Sequence, residues 1–402
     1  MSLTVGLGIT ACSRDFVLAY VYATTAKPLA AGSNNGGVSA FAVDYQTGAL
    51  VPLADSPLTA GRNPITLVPT PDGKTLYVVN QDDSNVMQFS IGTDGKLYLK
   101  NTVNLTGSTP TAAAVDPAGK FLYVTFTYQL GPGGQQLYSP ASPGPGGISI
   151  FPIDLNTGNL GTATTQPVGN NPVAIAISPN TTNSPAYVYV VDQEPIPHAT
   201  VLGFAQNAGT GALTPTPGTV ITTVAGKTVA TGYGAGTTPS AIAADPSSRF
   251  VYVTDQATNQ LYGNLIGSGG PLVPMANGPF NTGTLPVAVT VDPRGRFLYV
   301  ANKSSATVGA YAIDQATGTP VGSFGSAATG VQTAPTCIAI EPALGRYLYT
   351  SNNLDNSIGA LQLDSHTGGL KQVQNTPFPS SPLPTCVVAV ANGSHPMQIV
   401  NP

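Results

Sequence analysis

Charge is what this sequence has least of. Asp, Glu, Lys and Arg make up 8% of its 402 residues, against about 25% in an ordinary soluble domain, so solubility has to come from Thr, Ser, Asn and Gln. The 14 Lys and Arg residues form no cluster and the formal net charge is −4. That removes the electrostatic footprint that nucleic acid or an anionic membrane would need. No apolar run reaches the ~20 residues that cross a bilayer as a helix. The acidic stretch Gln81-Asp82-Asp83-Ser84-Asn85 lacks the spacing and distal Glu of a calcium loop, so no metal and no cofactor is expected. In contrast Gly (46) and Pro (37) are plentiful, as a chain of many turns requires.

Seven times a short polar stretch ends in Pro, enters a small-residue strand, turns, and enters a second strand. The anchors are Pro64, Pro110, Pro172, Pro239, Pro286, Pro335 and Pro384. Most steps are close to the ~40–50 residues of one propeller blade. The clearest copy has Pro286–Val291 as strand A, Asp292-Pro293-Arg294-Gly295 as a turn, Arg296–Ala301 as strand B, Val308–Ile313 as strand C, and the turn Asp314-Gln-Ala-Thr317-Gly318 before strand D. Strand B recurs as Leu76-Tyr77-Val78, Leu122-Tyr123-Val124, Val188-Tyr189-Val190, Val251-Tyr252-Val253, Leu298-Tyr299-Val300 and Leu348-Tyr349-Thr350, residues that suit a buried pleated surface. Strand A is rich in Ala, as the crowded inner end of a converging blade demands.

The expected fold is therefore all-β: a seven-bladed propeller of four-stranded antiparallel blades. A blade is apolar on both faces and cannot hide either alone, so the stack has to close. Residues 16–55 already supply strands B, C and D of a blade, and its missing strand A is Pro384–Val390, at the other end of the chain. One mixed blade of N- and C-terminal strands should seal the ring. The domain spans 16–392, with a leader at 1–15 and a tail at 393–402. In the leader, Ile9-Thr10-Ala11-Cys12 resembles a bacterial lipobox, whose Cys is acylated. Nothing before Cys12 is basic, as a secretory signal would be, so the alternative is a disordered leader with an incidental Cys12. Cys337 and Cys386 each lie two residues after an anchor. Small buried thiols are common core residues and neighbouring blades fan apart, so separate thiols are expected, with a disulfide as the alternative.

The Leu-Tyr-Val strands followed by Asn80, Asn302 or Asn352, the Asp-Pro-x-Gly turns and the Asp-x-x-Thr-Gly turns resemble the lactonase-type seven-bladed propellers. These include 6-phosphogluconolactonase and are related to YVTN-repeat surface proteins and fungal carboxymuconate cyclases. The resemblance runs from about Phe16 to Val390 and implies the fold; propellers carry unrelated functions on one frame. It also implies an Arg-His pair after one anchor and an Asn-Glu-Leu after the next strand B. Neither is present, because the matching blade reads Pro239-Ser240-Ala241 and then Asp255-Gln256-Ala257. Without groups to activate water and stabilise an oxyanion, lactone hydrolysis is harder to support.

Up-and-down order sorts the loops by face. The B–C and D–A connections share one face, here called the top, and the A–B and C–D turns share the other. The long stretches Tyr128–Gly147, Gln193–His198 and Thr216–Thr238 all fall on top, where binding loops belong. Within the last, Gly232-Tyr-Gly234-Ala-Gly236 has no following helix to receive a phosphate and reads as flexible linker. Glu194 and His198 are the one acid and imidazole close together in such a loop, and with Arg62 they form the candidate catalytic set. Asp192, Asp255 and Asn302, at the ends of strands B, are candidate ligand-binding residues. The plainer reading of Glu194 and His198 is two solvated loop residues held apart by prolines. His366 and His395 lie elsewhere.

Two functions follow. The first is an extracytoplasmic propeller, periplasmic, secreted or lipid-anchored at the cell surface, that binds a cell-envelope partner or self-associates. The second is a lactone hydrolase with its site on the top face near blades 2–5, taking a small carbohydrate or lactone. A cyclase acting on a carboxylated substrate ranks behind both, since only Arg62 and Lys303 are placed to supply cations there.

Overall fold

Each copy of the repeat becomes one antiparallel sheet, and seven such sheets stand in a ring. The computed structural model describes residues 17–135, 139, 145–182, 185–193, 199–224, 227–323, 329–330 and 333–393. Cys12, Glu194, His198 and His395 lie outside the described residues. The innermost strands begin at or near the anchors: Pro64–Pro69, Gly107–Val115, Pro172–Ser178, Pro239–Ala244, Pro286–Val291, Pro335–Ile340 and Pro384–Ala391. They touch one another in cyclic order, the last against the first. Blades are numbered 1 to 7 by their strand B, starting with Val17–Thr25.

Closure takes the mixed form the sequence requires. Pro384–Ala391 pairs antiparallel with Val17–Thr25, Tyr20 opposite Val390 and Tyr22 opposite Val388. The same N-terminal strand pairs on its other edge with Gly37–Asp44. Strand B is covered by neighbouring blades on both faces, so Thr75–Asn80, Tyr187–Asp192, Phe250–Asp255, Phe297–Asn302 and Tyr347–Asn352 are buried at every residue. Polar side chains on this strand must therefore find partners inside the protein.

The strand-B tyrosines find theirs across the blade boundary. Tyr22, Tyr77, Tyr123, Tyr189, Tyr252, Tyr299 and Tyr349 donate their hydroxyls to the carbonyls of Gly95, Gly158, Gly211, Gly270, Gly318, Gly368 and Gly48 respectively, at 2.6–3.1 Å. Every acceptor is a glycine of the C–D turn in the next blade, and every one has a positive φ, between 71° and 88°. The turn needs Gly twice over: for that backbone conformation, and because a side chain would strike strand B of the preceding blade beneath it. Burial pushes each phenol well above its ordinary pKa, so all seven remain donors. Replacing Tyr252 by Phe orphans the buried Gly318 carbonyl and should cost about 1–3 kcal/mol. Tyr349→Phe should cost the same, because the seam between blade 7 and blade 1 uses the same bond, to Gly48. Urea midpoints of the two variants check both magnitude and equality.

Two expectations are revised. Cys337 and Cys386 are joined as a disulfide, with Cα atoms 4.8 Å apart. The fanning of blades does not separate them because both sit on innermost strands, where neighbours touch. The Gly232–Gly236 stretch carries a paired strand rather than a linker. Val220–Val224 and Lys227–Thr231 form a hairpin, and Tyr233–Gly234 pairs with Thr200 and Val201. The hairpin's β-branched residues supply its strands, and the Tyr233 hydroxyl meets Thr216 Oγ1 at 2.9 Å.

Candidate functional site

The top face is built from the ends of strands A and B and the connections above them. At the end of strand B in blades 2, 4, 5, 6 and 7 stand Asn80, Asp192, Asp255, Asn302 and Asn352, all buried. Their side chains turn toward the D–A connection arriving beside them or the start of strand C. Asn80 Oδ1 accepts from the Gly61 N–H at 3.1 Å, and Asp192 Oδ1 from the Asn171 N–H at 2.9 Å. Asp255 accepts from the N–H groups of Thr237 (2.7 Å), Thr238 (2.9 Å) and Ala257 (3.0 Å) and from the Thr258 hydroxyl (2.9 Å). Asn302 donates to Thr307 Oγ1 at 3.3 Å and lies close against Gly283. In blades 2, 4, 5 and 6 the packed neighbour is a glycine because the side chain occupies the place of its Cβ. Asp192 and Asp255 thus clasp incoming backbone at the strand end.

Asn302 differs in one respect. Its Oδ1 has no hydrogen-bond partner, and it lines a cleft of about 710 Å³ with Ser305, Thr307 and Tyr311 at the upper seam of blades 5 and 6. Arg62 is held by the neighbouring B–C turn: its Nε lies 2.5 Å from Asp83 Oδ1 and its Nη2 donates to the Asp82 carbonyl at 3.0 Å. Its own backbone N–H donates to Asp83 Oδ2 at 2.7 Å. The bond to Asp83 raises the guanidinium pKa. Burial works to raise that of Asp83, but the bonds from Arg62 outweigh it and leave the carboxyl low. Arg62, Asp192, Asp255 and Asn302 therefore sit on four different blades, each engaged locally.

A second set of top-face residues went unnoticed in the sequence. The residue after the anchor Pro is a hydroxyl in blades 3, 5, 7 and 1, and it bonds both its own strand B and the next blade. Thr111 reaches Thr125 Oγ1 (2.8 Å) and the Pro172 carbonyl (2.5 Å). Ser240 reaches Thr254 Oγ1 (2.9 Å) and the Pro286 carbonyl (2.7 Å). Thr336 meets Ser351 Oγ at 2.9 Å, and Thr385 donates to the Pro64 carbonyl at 2.7 Å. In blades 2 and 4 an amide one residue past strand B does this work: Gln81 and Gln193 donate to the carbonyls of Pro110 and Pro239, each at 3.0 Å. Asn353 adds a bond to the Pro384 carbonyl at 3.1 Å. The signal was available as small hydroxyls alternating with Ile65, Val173 and Val287 after successive anchors. It lacked meaning without knowing which carbonyl comes within reach.

The channel's upper end is consequently lined with neutral hydrogen-bonding groups spent largely on holding blades together. Ser240, where the lactonase resemblance implies Arg, carries no charge and has its hydroxyl committed. Among the described residues, no group of three or more His, Cys, Asp or Glu is arranged to hold a metal ion, and no helix is long and apolar enough to cross a membrane.

Fold and inner ring together define a seven-bladed propeller whose blades repeat one inter-blade bonding scheme. The chain belongs to the lactonase family of seven-bladed β-propellers, whose family model matches residues 20–132 and 199–340. It is similar over 93% of its length, and all of the other's, to the structure of a candidate 6-phosphogluconolactonase from Bacteroides uniformis, at 21% identity and TM-score 0.71. The periplasmic gluconolactonase PpgL of Pseudomonas aeruginosa matches 93% of this chain and 99% of its own at 19% identity and TM-score 0.66. A protein from Lactobacillus plantarum matches over the same shares at 17% identity and TM-score 0.66. At these identities the likeness is one of fold. No curated protein matches the chain.

Proposed function

We propose that this is an extracytoplasmic propeller that works by binding, to a cell-envelope partner or to its own kind, and not by turnover. The observation that carries the reading is Ser240: at the blade where the family's cationic pair is expected, a neutral hydroxyl is bonded to Thr254 and Pro286. Hydrolysis of a lactone requires a base for water and donors for the oxyanion, and this position offers neither in free form. The disulfide between Cys337 and Cys386 supports an oxidising compartment, in keeping with the lipobox-like Ile9–Cys12. Weakly charged Thr- and Asn-rich surfaces repel one another little, which supports lateral association.

The family itself favours a second reading, a lactone hydrolase in which Glu194, His198 and Arg62 act from the top face, with Asp192, Asp255 and Asn302 holding the substrate. One pair of measurements separates them. Titrated at constant pH, gluconolactone and 6-phosphogluconolactone should be opened no faster with the protein than without it, and sedimentation over a concentration series should show self-association or cross-linking should recover an envelope partner. Turnover lost in both His198→Ala and Glu194→Ala would replace the first reading with the second.

A further inference from the structure

The packing beneath the C–D turns keeps one pattern in six blades and breaks it in blade 2, and the break leaves a hole. Two residues before each latch tyrosine stands the side chain that fills the space beneath the next blade's C–D turn. In six blades it is aromatic: Tyr20, Phe121, Tyr187, Phe250, Phe297 and Tyr347, each buried and directly under the turn glycine of the following blade, as Phe250 is under Gly318. In blade 2 it is Thr75. Between blades 2 and 3, on the lower face opposite the connections described above, lies a cleft of about 700 Å³ lined by Thr75 and the C–D turn of blade 3.

The packing behind one wall of this cleft departs from the repeat as well. The strand-C residue paired with the latch tyrosine is Ala40, Ile150, Gly203, Gly263, Ala310 or Ala360 in six blades, and Gln88 in blade 2. Gln88 is fully buried. Its Nε2 donates to Asn159 Oδ1 at 2.9 Å, its Oε1 has no partner, and Asn159 lines the cleft. A buried amide half satisfied is costly in a core, and it replaces residues that would have been neutral there. The cation before the aromatic changes role in step. Arg249 and Arg296 lie over Phe250 and Phe297 and reach the next blade's turn at Gln315 and Ser365. Lys74, with no ring beside it, pairs with Asp72 at 3.7 Å on the rim.

We propose that this cleft between blades 2 and 3 is a binding site for an uncharged sugar. Its wall offers hydroxyls and amides from Thr75, Ser90, Thr157 and Asn159, and its charges balance, Lys74 and Lys100 against Asp72 and Asp154. Leu155, apolar yet 60% exposed, stands at its edge as a platform for the C–H face of a pyranose ring. The volume falls within the ~300–1,000 Å³ of small-molecule sites. This site is separate from the top-face function and stands whichever reading of that face holds.

The test uses the whole protein and calorimetric titration with glucose, galactose, N-acetylglucosamine and maltose, beside glucuronate and glucose 6-phosphate, each to about 10 mM. At least one of the uncharged sugars should bind. Thr75→Phe, which restores the ring of the other six blades, should weaken that binding at least tenfold while leaving thermal stability unchanged or raised. Leu155→Glu, on the surface and without consequence for folding, should weaken it as well. Binding of none of the four uncharged sugars, binding of the charged ones alone, or binding unaffected by Leu155→Glu would overturn the assignment.

Discussion

A chain ended at Leu383 should lose cooperative folding altogether. The missing strand, Pro384–Ala391, is the inner strand of blade 1 and the partner of Val17–Thr25. Without it the buried Val387 and Val390 contribute nothing, at about 1.5–3 kcal/mol each. The ladder to the N-terminal strand goes, and with it the bonds from Thr385 to Thr24 and to the Pro64 carbonyl. The loss is comparable with the whole ~5–15 kcal/mol by which a domain is stable. It also bares Val17–Thr25 as a long apolar edge, a template for aggregation. Near-ultraviolet circular dichroism and urea unfolding of the truncated chain check this. A single sharp transition within about 1 kcal/mol of the full-length protein would show that the ring does not depend on its closing strand.

Breaking the disulfide should have the next largest effect. Cys337 and Cys386 are 49 residues apart in sequence, and a loop of that order is worth about 2–4 kcal/mol, chiefly through restriction of the unfolded chain. The bond ties the closing strand to the innermost strand of blade 7, so that strand is held by a ladder to Val17–Thr25 and covalently to its neighbour. Reductant should lower the urea midpoint of the native protein and leave that of Cys386→Ala, already lowered, where it is. Equal midpoints in all four measurements would remove the disulfide from the account of stability.

The fold was legible because a repeat states its own rule: anchors, Leu-Tyr-Val strands and Thr-Gly turns each recur, and their order allows one closed solution. The latch between Tyr252 and Gly318 was not legible, though both residues were conspicuous, because donor and acceptor are 66 residues apart and belong to different copies. Asp192, Asp255 and Asn302 stand at the ends of strands, but alternation along a strand tells a residue's side only where one side is solvent. Strand B is buried on both faces, so a polar residue at its end turns inward to bond backbone. Thr75 illustrates a different limit. It was visible as the one small residue among aromatics, yet nothing in the sequence says what lies over it until the next blade's turn is in place.

The tyrosine bonds all point the same way around the axis. Each unit carries a donor forward and an acceptor backward, so a duplicated unit fits its own copy without any new chemistry. The heritable building block is therefore the seam, half of one sheet and half of the next. On that footing the number of sectors is set by wedge angle rather than by recognition between particular neighbours, and an individual sector is at liberty to hollow itself out, as the second has done, while its neighbours keep the circle shut.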